Sequence, residues 1–208
     1  MIVETIISSI SDDDIVNFAP MGLHISDMDY ERVGQSPAGS ICLRLYPGSQ
    51  TYANLLATGQ GVVNFTNNVL LFVDTALYSS CPSHTPSLKV CPPSMEQAHT
   101  IWEFSVTHVD SSCVPALVEG KIEYCENRGG VTGFCRGQWA VLEAAIAATR
   151  WQLLPPAKII QSWPMWLELV KKTGGTREFE AFMKIGSFLA EKGIMVPGIL
   201  SGTIKQEL

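Results

Sequence analysis

Two short stretches of this chain carry residues suited to holding a ligand. In LYPGSQTYANLLATG a strand ends at Pro47, Gly48 permits close backbone approach, and the Ser49 and Thr51 hydroxyls stand beside the N–H groups of a helix start. Such a terminus holds a phosphate without lysines, because its first N–H groups lack intrahelical partners and the helix dipole is positive there. Ser is also a common N-cap residue, so ordinary capping by Ser49 is the competing reading. In NFAPMGL, Pro20 and Gly22 fall inside an expected strand, where Pro removes a ladder donor and Gly removes packing. A backbone freed in this way suits the polar edge of a planar heterocycle. A β-bulge or an edge strand would account for the same residues.

Other chemistries find less support. Cys81, His84, Cys91 and His99 lie in a segment rich in Pro and Ser, but only the first two have the tight spacing of a zinc ligand pair. A solvent-exposed loop from Cys81 to Ser94 is the expectation. The six cysteines include no CxxC pair and read as reduced residues, mostly filling the core. There is no GxSxG elbow, and the four histidines are scattered. His24 and His108 fall in expected strands, where hydrogen-bonded structural roles predominate. Asp12 to Asp14 read as a solvated turn. Neither a GxGxxG nor a GxxxxGK[ST] loop occurs, which leaves a dinucleotide fingerprint and a P-loop unsupported.

The elements that must position these residues change along the chain. IVETIISSI (residues 2–10) and Ile15 to Ile25 form an expected hairpin across the acidic turn. SICLRLYP alternates Ile41, Leu43 and Leu45 against Cys42, Arg44 and Tyr46, the period of a strand. A short helix follows, started at Ser49 and stopped at Gly59, then a strand over GVVNF, then a helix capped by Asn67 or Asn68. Ile101 to Asp110 and Pro115 to Glu126 are expected as antiparallel neighbours. From Gln138 the pattern is helical: one helix running to Pro155 and Pro156, a second over QSWPMWLELVKKTGG to Gly174, and a third to Gly193. Strands first and helices last, with short strand connections, indicate an α+β chain built on a mainly antiparallel six-stranded barrel with C-terminal helices. Length allows one large domain or two small ones; residues 1–130 are assigned to the barrel and 131–208 to helices packed on it, read together as one structural domain.

Composition narrows the function. Of 208 residues, 14 are Lys or Arg and 20 are Asp or Glu, and this 16% charged content is well below the ~25% usual for soluble domains. Residues 1–104 hold ten acids and three bases (Arg32, Arg44, Lys89); the remainder holds ten acids and eleven bases, so nets of −7 and +1 give −6. The first half thus lacks the clustered cations that a phosphodiester backbone requires, which disfavours nucleic-acid binding. Apolar runs such as VVNFTNNVLLFV and WAVLEAAIAA break before the ~18 residues of a membrane span, and no basic segment precedes the first apolar one. A soluble protein of the cytoplasm, without a secretory signal, is expected.

Taken together, ETIISS, NFAPMGL, PGSQTYANLLATGQGVVNF, EAAIAATR (Glu143 to Arg150) and KKTGG with EFEA resemble the DUF447 family of flavin-binding split-barrel proteins, which is related to flavin reductases and pyridoxamine-phosphate oxidases. The resemblance spans nearly the whole chain. It implies an FMN-binding split barrel, and a homodimer with the flavin at or near the subunit interface. It places Asn17, Ala19, Pro20, Met21 and Gly22 along the isoalloxazine, and Gly48, Ser49, Thr51 and Tyr52 near the ribityl phosphate. Asn64 is implied in ribityl or loop contacts, with a plain turn role as the alternative. Arg150, late in its helix, either pairs with a carboxylate such as Glu143 or reaches a phosphate. Where relatives carry an acidic pair after the GVVNF-like strand, this chain has Asn67 and Asn68. The implied function is an FMN-dependent oxidoreductase of flavin reductase-like type with unassigned substrate and electron donor. A non-catalytic flavin-binding or interaction protein is the rival, a split barrel without FMN is a third reading, and a link to pterin or one-carbon chemistry is an open expectation.

Overall fold

A computed structural model describes residues 2–25, 39–129 and 135–198. It divides into two compact units. Residues up to 67 together with 79–132 make one, and residues 68–78 with 133–208 make the other. The expected junction at residues 130 and 131 lies outside the described residues, as does the Gly-, Pro- and Ser-containing stretch before residue 39.

The first unit is the barrel. Its strands are β1 (Ile2–Ile10), β2 (Val16–His24), β3 (Ser40–Leu45), β4 (Gln60–Phe65), the two-residue β5 (His84–Thr85) and β6 (Ser94–Met95), β7 (Thr100–Asp110) and β8 (Ala116–Asn127). The six long strands close antiparallel in the order β1-β2-β3-β8-β7-β4, with β4 returning to β1. Alternation decides which side chains face inward: Ile41, Leu43 and Leu45 are buried while Arg44 is exposed, the period the sequence predicts. Phe104 fills the interior at 0% exposure because Gly61 and Gly120 face it. A Cβ on Gly61 would stand 2.5 Å from the Phe104 ring. Burying the twelve-residue apolar cluster that includes Ile7, Leu23, Leu55, Trp102 and Val118 stabilises the closed form, each large side chain contributing about 1.5–3 kcal/mol.

Closure is uneven. β2 pairs with β1 over nine residues, from Val16 to His24, but with β3 only at Leu23 and His24. Among the described residues no strand pairs with the other edge of Val16–Gly22. This is why Pro20 is tolerated: a Pro in a strand is accommodated at an edge. Helix α1 (Gln50–Thr58) begins at Ser49, whose Oγ accepts from the Tyr52 N–H, and ends at Gly59 in the left-handed region with φ of 65°. Both boundaries agree with the sequence reading.

The second unit contains α2 (Val69–Leu77), α3 (Arg136–Thr149), α4 (Pro156–Thr173) and α5 (Thr176–Glu191). Asn68 caps α2 by accepting from the Leu70 N–H. The small residues Ala140, Ala144, Ala145 and Ala148 give α3 a face that close-packs with Trp163, Phe182 and Ile185, and the Trp163 and Phe182 ring centroids are 4.1 Å apart. Glu178 is 7% exposed; its carboxylate accepts from the Gly175 N–H and from the Gln138 amide. Burial alone would raise its pKa, but these hydrogen bonds outweigh that and leave it below the ordinary value. No helix among the described residues is long and apolar enough to cross a membrane.

Four sequence expectations need correction. Helix α3 stops at Thr149, so Arg150 is its C-cap and not a helical residue, and Pro155 and Pro156 serve the start of α4, with Pro156 in the first turn. Proline is favoured there because its missing N–H would find no helical partner. The segment from Cys81 to Ser94 is not simply exposed: Pro92, Pro93 and Ser94 are buried against the barrel wall. None of the six cysteines fills the core; all are free thiols, four half-buried and two exposed. Finally, the histidines with hydrogen bonds are His84, to the Pro82 carbonyl at 2.8 Å, and His99, to Asn67 Oδ1 at 2.8 Å. His24 and His108 lie in β2 and β7 without such a partner among the described residues.

Candidate functional site

The unpaired edge of β2 and the start of α1 meet at one end of the barrel, and a chain of amides and hydroxyls joins them. Asn17 Nδ2 donates to Thr51 Oγ1 at 3.1 Å. Ser9, directly opposite Asn17 in the ladder, accepts from Asn54 Nδ2 at 3.1 Å, and Asn54 Oδ1 accepts from Gln50 Nε2 at 2.7 Å. Ser9, Thr51 and Asn54 are at most 2% exposed. Burial of so many polar groups is stable only because each is bonded, and the bonds fix the helix start against the strand.

The geometry leaves ligand-binding capacity at the rim. The Gln50 and Thr51 N–H groups have no acceptor among the described residues, as expected for the first turn of a helix. Gly48 has a φ of 97°, and a Cβ built on it meets nothing within 4 Å. The backbone there faces open space in a conformation that favours glycine. Together with the unpaired strand edge, these groups fit a ligand that has a flat polar edge and an anionic tail. None of the five networked residues is titratable.

The other expected residues are distributed as follows. Ala19 and Pro20 are half-buried on the open edge. Met21 packs on the barrel core, and its carbonyl accepts from Thr5 Oγ1 at 3.0 Å. Gly22 is explained by Ile2, whose Cγ2 would lie 2.8 Å from an added Cβ. Ser49 is engaged as the N-cap, and Tyr52 packs against the barrel core. Asn64 is brought to a different face: it is 0% exposed, donates to the Ile6 carbonyl and Ser8 Oγ, and accepts from the Met95 N–H at 2.8 Å. Its amide is taken up by the protein itself. Arg150 belongs to the helical unit and is exposed. Arg44 points outward on β3 near Cys42, whose thiol pKa is raised by burial and by Glu119 and lowered by Arg44. Among the described residues no group of three or more His, Cys, Asp or Glu could hold a metal ion. Cys81 Sγ and His84 Nδ1 are 3.7 Å apart.

Sequence reasoning overlooked Ser9, Gln50 and Asn54. A signal for two of them was present, since Gln50 and Asn54 are spaced i, i+4 on one helix face. Ser9 carried none, because its partner is 45 residues away.

A mainly antiparallel six-stranded split barrel with C-terminal helices is the class of fold these observations define. Solved structures share it. One is an FMN-bound protein of Methanosarcina mazei, itself placed in DUF447, at 22% identity with a TM-score of 0.75, covering 90% of this chain and 95% of that one. Another is an FMN-binding protein from Thermus thermophilus with bound p-hydroxybenzaldehyde, at 17% identity and a TM-score of 0.51, covering 64% of this chain and 75% of that one. The model of the N-terminal domain of the protein of unknown function DUF447 matches residues 3–126, and the model of DUF447's C-terminal part matches residues 135–187. This chain belongs to the DUF447 family.

Proposed function

We propose that this protein binds FMN at the open edge of β2 and the start of α1, and that it acts as a flavin reductase-like oxidoreductase. The observation that carries this reading is the Asn17 to Thr51 hydrogen bond, which ties an unpaired strand edge to a helix N-terminus. The strand edge offers backbone donors and acceptors to the isoalloxazine along Asn17 to Gly22. Gly48 and the N–H groups of Gln50 and Thr51 hold the phosphate through backbone and dipole. Arg44, four residues before Gly48 in the chain, or Arg150 would supply the counter-charge. The FMN-bound and FMN-binding proteins that share the fold support the same ligand.

When bound, FMN supplies the hydride or electron chemistry, and the chain supplies orientation and electrostatics. The networked residues are amides and hydroxyls, so they orient groups and exclude water but shuttle no proton at neutral pH. That same composition favours the second reading, a flavin-binding module without turnover. A homodimer is part of the proposal: Ile15, Tyr46 and Leu56, on the segments flanking the site, are 66%, 66% and 52% exposed, an apolar rim suited to a second copy. Six free thiols suit a reducing compartment such as the cytoplasm.

The visible spectrum of the purified protein, with mass identification of the released chromophore, tests the ligand. A stoichiometric FMN signal is expected, and haem, deazaflavin or no chromophore would overturn the reading. Stopped-flow mixing with NADH and NADPH then separates enzyme from module. Bleaching of the flavin within seconds supports turnover, whereas no reduction by either donor favours the module.

A further inference from the structure

The helical unit has a concavity of about 230 Å³ in the angle between α3 and α4. Its floor is apolar: Ile159 is 1% exposed and Trp166 is 7% exposed. Its rim is charged and polar, with Glu143, Arg150, Lys158 and Ser162 facing the same space. None of the three charged side chains has an ion-pair partner among the described residues.

The positions of the two cations are unequal in a telling way. Arg150 caps the C-terminus of α3, where the helix dipole favours a positive charge. Lys158 stands in the first turn of α4, which contains no acidic residue, and there the dipole opposes it. The start of α4 thus adds to Lys158 and Arg150 at one end of the concavity, where neither cation has an ion-pair partner among the described residues. Glu143 precedes Arg150 by two helical turns, about 10 Å along the axis, so the opposite end of the rim is negative.

We propose that this concavity binds a small organic anion, with a carboxylate or phosphate head between Arg150 and Lys158 and a flat apolar body over Trp166. Ser162 donates a hydrogen bond to the head, and the guanidinium and ammonium pair with it. The volume is below the ~300–1,000 Å³ of sites for drug-sized ligands, which suits a single-ring acid and is too small for FMN. This is a second site, independent of the flavin reading.

The test titrates benzoate, phenyl phosphate and benzylamine calorimetrically into the full-length protein as purified. Benzoate or phenyl phosphate should bind once per chain, and the tighter of the two identifies the preferred head group; benzylamine, with the same ring and the opposite charge, should not bind. Lys158→Glu and Arg150→Gln should each weaken the anion at least tenfold. Lys158→Glu should also raise the melting temperature in anion-free buffer, since an acid then stands at the helix start. The flavin content of Lys158→Glu should match the parent. No saturable binding of either anion, unchanged affinity in either variant, or loss of flavin in Lys158→Glu overturns the proposal. If the purified protein carries no FMN, the titrations still decide the matter by themselves.

Discussion

Ser8 and Ser9 are neighbours in β1 with the same side chain and the same 0% exposure, yet they serve opposite purposes. Their side chains leave opposite faces of the strand. Ser8 is sealed: its Oγ donates to the Pro93 carbonyl at 2.6 Å and accepts from Asn64, whose own oxygen takes the Met95 N–H. Ser8 and Asn64 are answered by the strands around them and by Pro93 and Met95 in the segment that follows α2. Ser9 instead joins Asn54 and the helix start, beside backbone N–H groups that have no acceptor among the described residues. A buried polar network that is internally complete stabilises the fold; one that ends in unmatched donors at a rim is equipped to bind.

The contrast breaks most strongly on the sealed side. Asn64→Leu removes three donated bonds and one accepted bond at a site with no solvent, and strands the Met95 N–H. With about 1–3 kcal/mol for each buried group left without a partner, the loss should reach about 4 kcal/mol in urea denaturation. The FMN bound per folded molecule should not change. Loss of flavin at low denaturant, before unfolding, would show that the two faces are not separate. Glu103→Gln should cost about 2–3 kcal/mol on the same assay. Its 0% exposed carboxylate accepts from the Leu88 and Lys89 N–H groups at 2.9 and 2.6 Å, and an amide presents one of them with a donor. Limited proteolysis between residues 81 and 94 should accelerate in this variant.

This pair of networks also marks how far the sequence could be read. Period-two alternation in SICLRL, the Ser49 cap and the Gly59 stop placed strands and helix within a residue or two, because those signals are local. Pro20 within a strand left a ligand-facing backbone, a bulge and an edge strand all open, and the structure shows an unpaired edge. What could not be read is which asparagine would be satisfied. Asn17 and Asn64 look alike in sequence, and the difference lies in Met95, 31 residues beyond Asn64, directly after a segment whose Pro and Ser content suggested only an exposed loop. The cysteine expectation failed for a related reason: Cys42 alternates onto the outward face of β3, and burial frequency by residue type says nothing about strand phase.

The open side should respond in the opposite sense, with small stability losses and larger losses of ligand. Gly48→Val forces a β-branched residue to a φ of 97° and should cost about 2 kcal/mol. Thr51→Val removes only the bond from Asn17 and should cost about 1 kcal/mol. Each should raise the FMN dissociation constant tenfold or more by fluorescence titration while circular dichroism reports a folded protein. Retention of parental affinity in both variants would remove the phosphate from the α1 start.

The smallest effect is expected in the helical unit, which serves as a control on both faces. Glu178 is ionised more readily in the folded chain than in the unfolded one, because the Gly175 N–H and the Gln138 amide outweigh the burial that opposes its charge. A carboxylate whose folded pKa is depressed contributes its full stability above the unfolded pKa and loses it as pH falls through the folded one. Glu178→Gln should therefore destabilise by about 1 kcal/mol at neutral pH. The gap between parent and variant should close as the pH is lowered through the carboxylate range. Flavin affinity should be unchanged throughout. A variant whose deficit persisted at acid pH would point to lost packing as its cause, since protonation removes the charge-dependent part of the cap and leaves shape alone.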